Sequence, residues 1–196
     1  MQIAIIGYGS LIWDLESLAP HTSGGWQRAA GPNLPVEFSR ISPKRLDSLV
    51  LVLDPEHGAP MPSSYIASAR RDIEEAISDL AARERAPAER IGFVDARSGG
   101  HRARVPRILN TVAAWVERQR LDGAVWADLD GNFAERTGQP FSLDAGHGYL
   151  KTLSGASLAE AKRYIDLAPG EIKTPLRRRL DADPWWLGLP APALPA

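Results

Sequence analysis

Apolar positions along this chain fall first into short strand-like runs and later into helical spacing. Ile3-Ala4-Ile5-Ile6 is a continuous apolar run that empties into Gly7-Tyr8-Gly9-Ser10-Leu11-Ile12-Trp13. Leu34, Val36 and Phe38 alternate with Pro35, Glu37 and Ser39, the period of a half-buried strand, whereas Leu49-Val50-Leu51-Val52-Leu53 is unbroken and predicts a strand in the middle of a sheet. Tyr65–Ala69, Ile91–Val94 and Ala124–Leu129 predict further strands, with a turn at Gly99-Gly100-His101. Asp72 precedes a helical pattern of Ile73, Ala76, Ile77 and Leu80 that fades at Arg83-Glu84-Arg85, and Ile108, Leu109, Val112, Trp115 and Val116 predict a helix over 106–119.

Beyond Gly131 the signals are helical. Ser142 caps a segment carrying Leu143, Tyr149, Leu150 and Leu153, Ser157 with Glu160 spells a capping box, and Thr174-Pro175 starts a short final helix. The last stretch, with Pro184, Pro190, Pro192 and Pro195, is expected to be irregular, and no internal repeat is present. Trp185-Trp186 is expected to cover the core, and Arg177-Arg178-Arg179 to be a solvated helix face.

The glycine turn at the end of the first strand leaves backbone N–H groups uncovered, a construction suited to an anion or an oxyanion. Three designs begin this way. The dinucleotide fingerprint needs a third glycine, a long helix directly after the turn and an acid about 20 residues on. Here Ile12 holds the third position, Pro20 and Gly24-Gly25 interrupt the helix, and Glu37 is the only acid available. A plain tight turn would use Gly7 and Gly9 for positive φ, with Tyr8 packed in the core. In the third design, Gly7-Tyr8-Gly9-Ser10-Leu11-Ile12-Trp13 resembles the G-Y-G-S-L motif, often followed by Ile-Trp, of the γ-glutamylcyclotransferase-like superfamily.

That resemblance implies an α+β fold, a small mixed sheet or barrel over residues 1–130 with a central helix, and a helical C-terminal extension over 131–196. It also implies an activity. In the superfamily the α-amine of a γ-glutamyl unit attacks its own side-chain carbonyl, closes 5-oxoproline and expels the attached amine. The nucleophile belongs to the substrate. The protein folds the chain back, moves protons and stabilises the oxyanion. The family's acid/base is a glutamate near the end of the central helix, in a pattern like Leu-x-x-Arg-Glu. Leu80-Ala81-Ala82-Arg83-Glu84 matches it, making Glu84 the catalytic candidate and Glu89 the reserve. Gly7, Tyr8, Gly9, Ser10 and Leu11 become the substrate cradle, and Arg40 a partner for a substrate carboxylate. The Gly and Tyr that closely follow the family's glutamate are replaced by Arg85-Ala86-Pro87, and the His-Arg-Gly segment of the glutathione-degrading branch is missing. A binding protein that keeps the cradle without the chemistry is the alternative.

Composition narrows the partners. Lys and Arg total 23 against 24 Asp and Glu, a net charge of -1, so no global field draws the chain to nucleic acid or to a membrane surface. No apolar stretch approaches the ~20 residues of a membrane span, and no secretory signal opens the chain. A small-molecule substrate, no cofactor, a cytoplasmic location and a monomer or homodimer are expected. Without cysteine there is neither a disulfide nor a thiolate site. His21, His57, His101 and His147 share no metal-ligand spacing, so no metal is expected.

Overall fold

The computed structural model describes residues 1–191. Pro192 and Pro195, counted above with the irregular end, lie outside the described residues. Among the described residues the strands are β1 Ile3–Gly7, β2 Thr22–Gln27, β3 Asn33–Ser42, β4 Ser48–Leu53, β5 Ala59–Pro62, β6 Ser64–Ser68, β7 Ile91–Asp95, β8 His101–Arg102 and β9 Gly123–Ala127. The α-helices are α1 Ile73–Glu84, α2 Pro106–Gln119, α3 Phe133–Thr137, α4 Leu143–Thr152, α5 Gly155–Leu167, α6 Pro175–Leu180 and α7 Pro184–Leu187. The fold is mixed α+β, with no helix among the described residues long and apolar enough to cross a membrane.

The chain divides into two compact units. One comprises Met1–Leu34 and Pro62–Leu129, and the other Pro35–Met61 with the chain from Asp130 onward. The segment holding β4 and most of β3 therefore groups with the C-terminal helices, where the sequence suggested a division at residue 130 alone.

In the first unit, six strands pair in the order β2-β6-β1-β9-β7-β8. The central pair is parallel, with Ile3 opposite Gly123 and Ile6 opposite Trp126, and the flanking pairs are antiparallel. Alternation along a strand sends successive side chains to opposite faces. Ile3, Ile5, Ile66, Ile91 and Val125 meet Ile73, Ala76, Ile77 and Leu80 of α1 in one buried cluster. Asp72 starts α1 as predicted, its carboxylate accepting the Glu74 and Glu75 N–H groups. The helix ends where Arg85 turns left-handed (φ 53°) ahead of Pro87. α2 packs on β7 and β9, and the Trp115 indole N–H donates to Ala30 O at 3.0 Å. Trp126 is fully buried and lies across Gly92, where a Cβ would stand 2.2 Å from its ring.

In the second unit the order is β4-β3-β5. The unbroken run of β4 is therefore a flanking strand, where the sequence suggested the middle of a sheet. Its burial comes from α4 and α5, which pack on it. β3 is likewise buried on both faces over Val36–Ser39, not half-buried as its alternation suggested, because Glu37 and Ser39 point into the structure. Ser142 and Thr174 cap α4 and α6 as predicted. The Ser157–Glu160 box is not used: α5 begins at Gly155, and Glu160 pairs with Arg45 and Arg163. Arg177 is buried, donating to the carbonyls of Ala168 and Pro169 at the end of α5, where a solvated face was expected, whereas Arg178 and Arg179 are exposed as expected, Arg179 pairing at the surface with Asp144. Pro184 opens a short helix where irregularity was expected, and Trp186 is buried on the core.

Glu37 has its own structural task. Its Oε1 accepts the Phe38 N–H at 2.7 Å and its Oε2 the Leu176 N–H at 3.1 Å, tying β3 to the start of α6. Burial pushes its carboxyl above the usual range, against the opposing pull of the Thr174 hydroxyl and the two amides, with Asp54 adding to the rise. A carboxyl raised in this way stabilises the fold below its unfolded value near 4.5 and loses that contribution as pH climbs through the folded value. The stability of the wild type relative to Glu37→Gln should therefore fall as pH rises above the unfolded value near 4.5, read from urea midpoints. A difference independent of pH would clear Glu37 of this role. Gly92→Ala should cost about 1–3 kcal/mol by overpacking against Trp126, and an unchanged midpoint would show that the ring can yield.

Candidate functional site

The turn after β1 is built from space and hydrogen bonds. Gly9 has φ −132°, and neither it nor Gly7 takes a positive φ, so left-handed backbone is not why glycine stands at these positions. At Gly7 the reason is room: a Cβ would lie 2.7 Å from the Trp26 ring and 3.2 Å from Ile12 Cγ1. Tyr8 is buried, and its hydroxyl donates to Ala127 O at 2.6 Å, fastening the turn to the end of β9. Ser10–Ile12 forms a single 3₁₀ turn, with the Ile12 N–H on Gly9 O and the Asp14 N–H on Ser10 O. The amides of Gly9, Ser10 and Leu11 have no acceptor among the described residues. A long helix opening at Gly9, which the dinucleotide design requires, is absent, and the Ser10–Ile12 turn takes its place.

Glu84 ends α1, and its side chain is 16 % exposed. Between it and the turn stands Arg83, whose guanidinium is all but fully buried. It donates to Glu84 Oε1 at 2.8 Å, to Ser10 Oγ at 3.2 Å and to Asp14 O at 2.5 Å. One planar fork thus holds the catalytic candidate, the cradle serine and the backbone beyond the turn, a task that suits arginine's fixed donor geometry. Glu84 Oε2 has no protein partner among the described residues.

The remaining predicted site residues are distributed as follows. Gly7, Tyr8, Gly9, Ser10, Leu11 and Glu84 belong to the first unit, and Leu11 is part of its apolar core. Arg40 belongs to the second unit, where it donates to Asp130 O at 2.7 Å and pairs with that carboxylate at 3.8 Å. Glu89 is exposed in the short turn before β7. His57 lies against Asp54 and His147 against Asp183, in hydrogen bonds within the second unit. A polar groove of that unit, lined by Thr137, Gln139, Ser142, Asp144 and Tyr149, contains none of the predicted site residues.

Sequence reasoning noted Arg83 only as a cation flanking Glu84. Its burial and its bond to Ser10 were not visible, since nothing local says which way a side chain at a helix end points. Trp26 was not singled out at all. Arg83→Met should destabilise the first unit by about 3–5 kcal/mol, because it strips one side of a buried ion pair and leaves Asp14 O without its donor. Arg83→Lys should recover only part of the loss, since a single ammonium cannot reproduce the fork. Equal stability of all three proteins in urea titrations would show that the link carries no weight.

Compared with family models, with curated proteins and with solved structures, the chain matches none.

Proposed function

We propose that the protein is a γ-glutamylcyclotransferase-like enzyme that converts a γ-glutamyl amine or peptide to 5-oxoproline and the free amine. The observation that carries this reading is the shared Arg83 guanidinium, which sets the Glu84 carboxylate and the glycine turn one residue apart in space.

The chemistry needs few parts. The substrate's α-ammonium gives up a proton, its nitrogen bonds to the γ-carbonyl carbon, and the carbonyl oxygen becomes an oxyanion. Collapse restores the carbonyl and breaks the bond to the departing nitrogen, which takes up a proton. Glu84 receives the first proton and returns it to the leaving group, and the second proton shed by the ring nitrogen as the lactam forms goes to the released amine, which departs as an ammonium, so the enzyme ends as it began. Its Oε2 does this work while Arg83 holds Oε1 and fixes the carboxylate's orientation. The amides of Gly9, Ser10 and Leu11, which have no acceptor among the described residues, supply donors for an anionic group, each such donor contributing about 3 kcal/mol where it meets the oxyanion. Folding the glutamyl chain into a near-attack geometry supplies the rest. Arg40 takes no part in this scheme, its guanidinium being engaged with Asp130.

The Arg83–Glu84 ion pair also favours a second reading, a ligand-binding protein of this fold without turnover, since the pair already occupies one carboxylate oxygen. A panel of γ-glutamyl dipeptides, γ-glutamylamines and glutathione assayed for 5-oxoproline separates the two. Glu84→Gln should lower release by about 10²–10⁴-fold while leaving affinity nearly intact. Unchanged release removes Glu84 from the mechanism, and binding without release by the wild type selects the second reading.

A further inference from the structure

α7 has four residues, too few to persist as a helix by itself, so contacts from outside hold it in place. Asp183 makes the first of them. Its Oδ1 accepts the Trp185 N–H at 2.9 Å as the N-cap, and its Oδ2 is hydrogen-bonded to Nε2 of His147 on α4. Lys151, one turn further along α4, stands 3.6 Å from the same oxygen. The rings repeat the pattern. The His147 imidazole meets Trp185 edge-on, with centroids 6.1 Å apart, and the Lys151 ammonium lies 5.3 Å over the Trp185 ring. The Lys162 ammonium of α5 lies 5.2 Å over Trp186, which is buried on the core. The longer helices thus present basic side chains to a carboxylate and two indole rings of the terminal segment.

Of those three basic groups, histidine is the one whose charge changes near neutral pH. Lys151 and Lys162 keep theirs, whereas His147 is a cation only with both ring nitrogens protonated. The His147 and Asp183 side chains are each 13 % exposed, so their bond is made largely out of water, where a charge counts for more than at the surface. Among the described residues, the charged groups around this bond are Lys151, which faces Asp183; Asp144, one turn before His147 on α4 and paired with Arg179 of α6; and Lys162 at Trp186, paired with Asp166 of α5. The His147 hydrogen bond, followed by the Trp185 N–H and Lys151, holds the Asp183 carboxyl below the usual carboxylate range against its desolvation, so Asp183 stays ionised while the imidazole titrates. Protonated, His147 gives that carboxylate a charged donor. Neutral, it leaves a plain N–H···O bond.

We infer that His147 and Asp183 form a proton-operated clasp: protonation of His147 fastens α7, and with it Trp186, against α4, and loss of that proton loosens the segment. The clasp is independent of the γ-glutamyl reading, since every residue in it belongs to the second unit.

The test is hydrogen exchange in the intact chain at the Leu187 and Gly188 amides, which donate to Asp183 O and Pro184 O. Exchange is followed by NMR from about pH 5 to about pH 8.5 and expressed as protection over the intrinsic rate. Wild-type protection should fall about fivefold with rising pH, the margin between a charged and a neutral hydrogen bond, at the midpoint where the His147 imidazole signals titrate. His147→Gln, a permanently neutral donor, should show the lower protection at every pH and no transition. Lys151→Met should lower protection throughout and keep the transition, because the titrating group remains. Wild-type protection that does not fall with pH, a fall away from the His147 midpoint, a full transition in His147→Gln or its loss in Lys151→Met overturns the clasp. If His147→Gln does not fold, the two wild-type midpoints decide: their coincidence supports the clasp and their separation ends it.

Discussion

The parallel pairing of β1 with β9 is the constraint from which the first unit follows. Every other pair described in its sheet is antiparallel, and the pairing of Ile3 with Gly123 spans the longest stretch of sequence among them, so it can form only after the intervening chain has been laid down. That register buries Ile5 and Val125 side by side under α1 and sends the chain out of both strands at one edge. The glycine turn and the end of β9, joined by the Tyr8 hydroxyl on Ala127 O, owe their proximity to it. Gly92 belongs to the same constraint: without room above it, the Trp126 ring of β9 could not lie across β7, and the central strand would have to shift.

The second unit solves a different problem with similar means. Its sheet has three strands, too few to hide its own apolar faces, and β4 is apolar at nearly every position. α4 and α5 provide the cover. The cost of burying Glu37 in such a setting is answered by hydrogen bonds from the Phe38 and Leu176 amides, so the charge-bearing group becomes the connection between sheet and helix. Arg177 does the converse, entering the interior as a cation to satisfy the buried carbonyls that follow α5.

What the sequence disclosed divides along the line between local and non-local physics. The period of Ile108, Val112, Trp115 and Val116 fixed α2 to the residue, and Asp72, Ser142 and Thr174 marked helix starts because a cap acts within three residues of itself. The Ser157–Glu160 box misled because Ser154 and Gly155 offer an earlier start that lets the same glutamate reach Arg45. Leu49–Leu53 read as a central strand because an apolar run reports burial on two faces and says nothing of who provides it. The candidate site shows the same split. Gly7–Leu11 and Glu84 are visible as motif residues, whereas Arg83 looked like a neighbouring charge. Its meaning depends on a partner, Ser10, 73 positions away in the chain.

Arg83 explains why a carboxylate at this helix end could be kept whether or not it moves protons. A guanidinium buried this deeply requires a counter-charge, and Glu84 supplies one at 2.8 Å. The Arg-Glu pair is thus sufficient to account for itself as architecture. What architecture does not require is the geometry around it: a guanidinium that spends one donor on the serine of the glycine turn, a second carboxylate oxygen left without a protein partner and a side chain still open to solvent. A pair serving stability alone gains by closing both oxygens, as Glu37 does. Glu84 closes one, and that difference between two carboxylates of the same chain is the physical ground for the proposal that gives Glu84, and not Glu37, a part in chemistry.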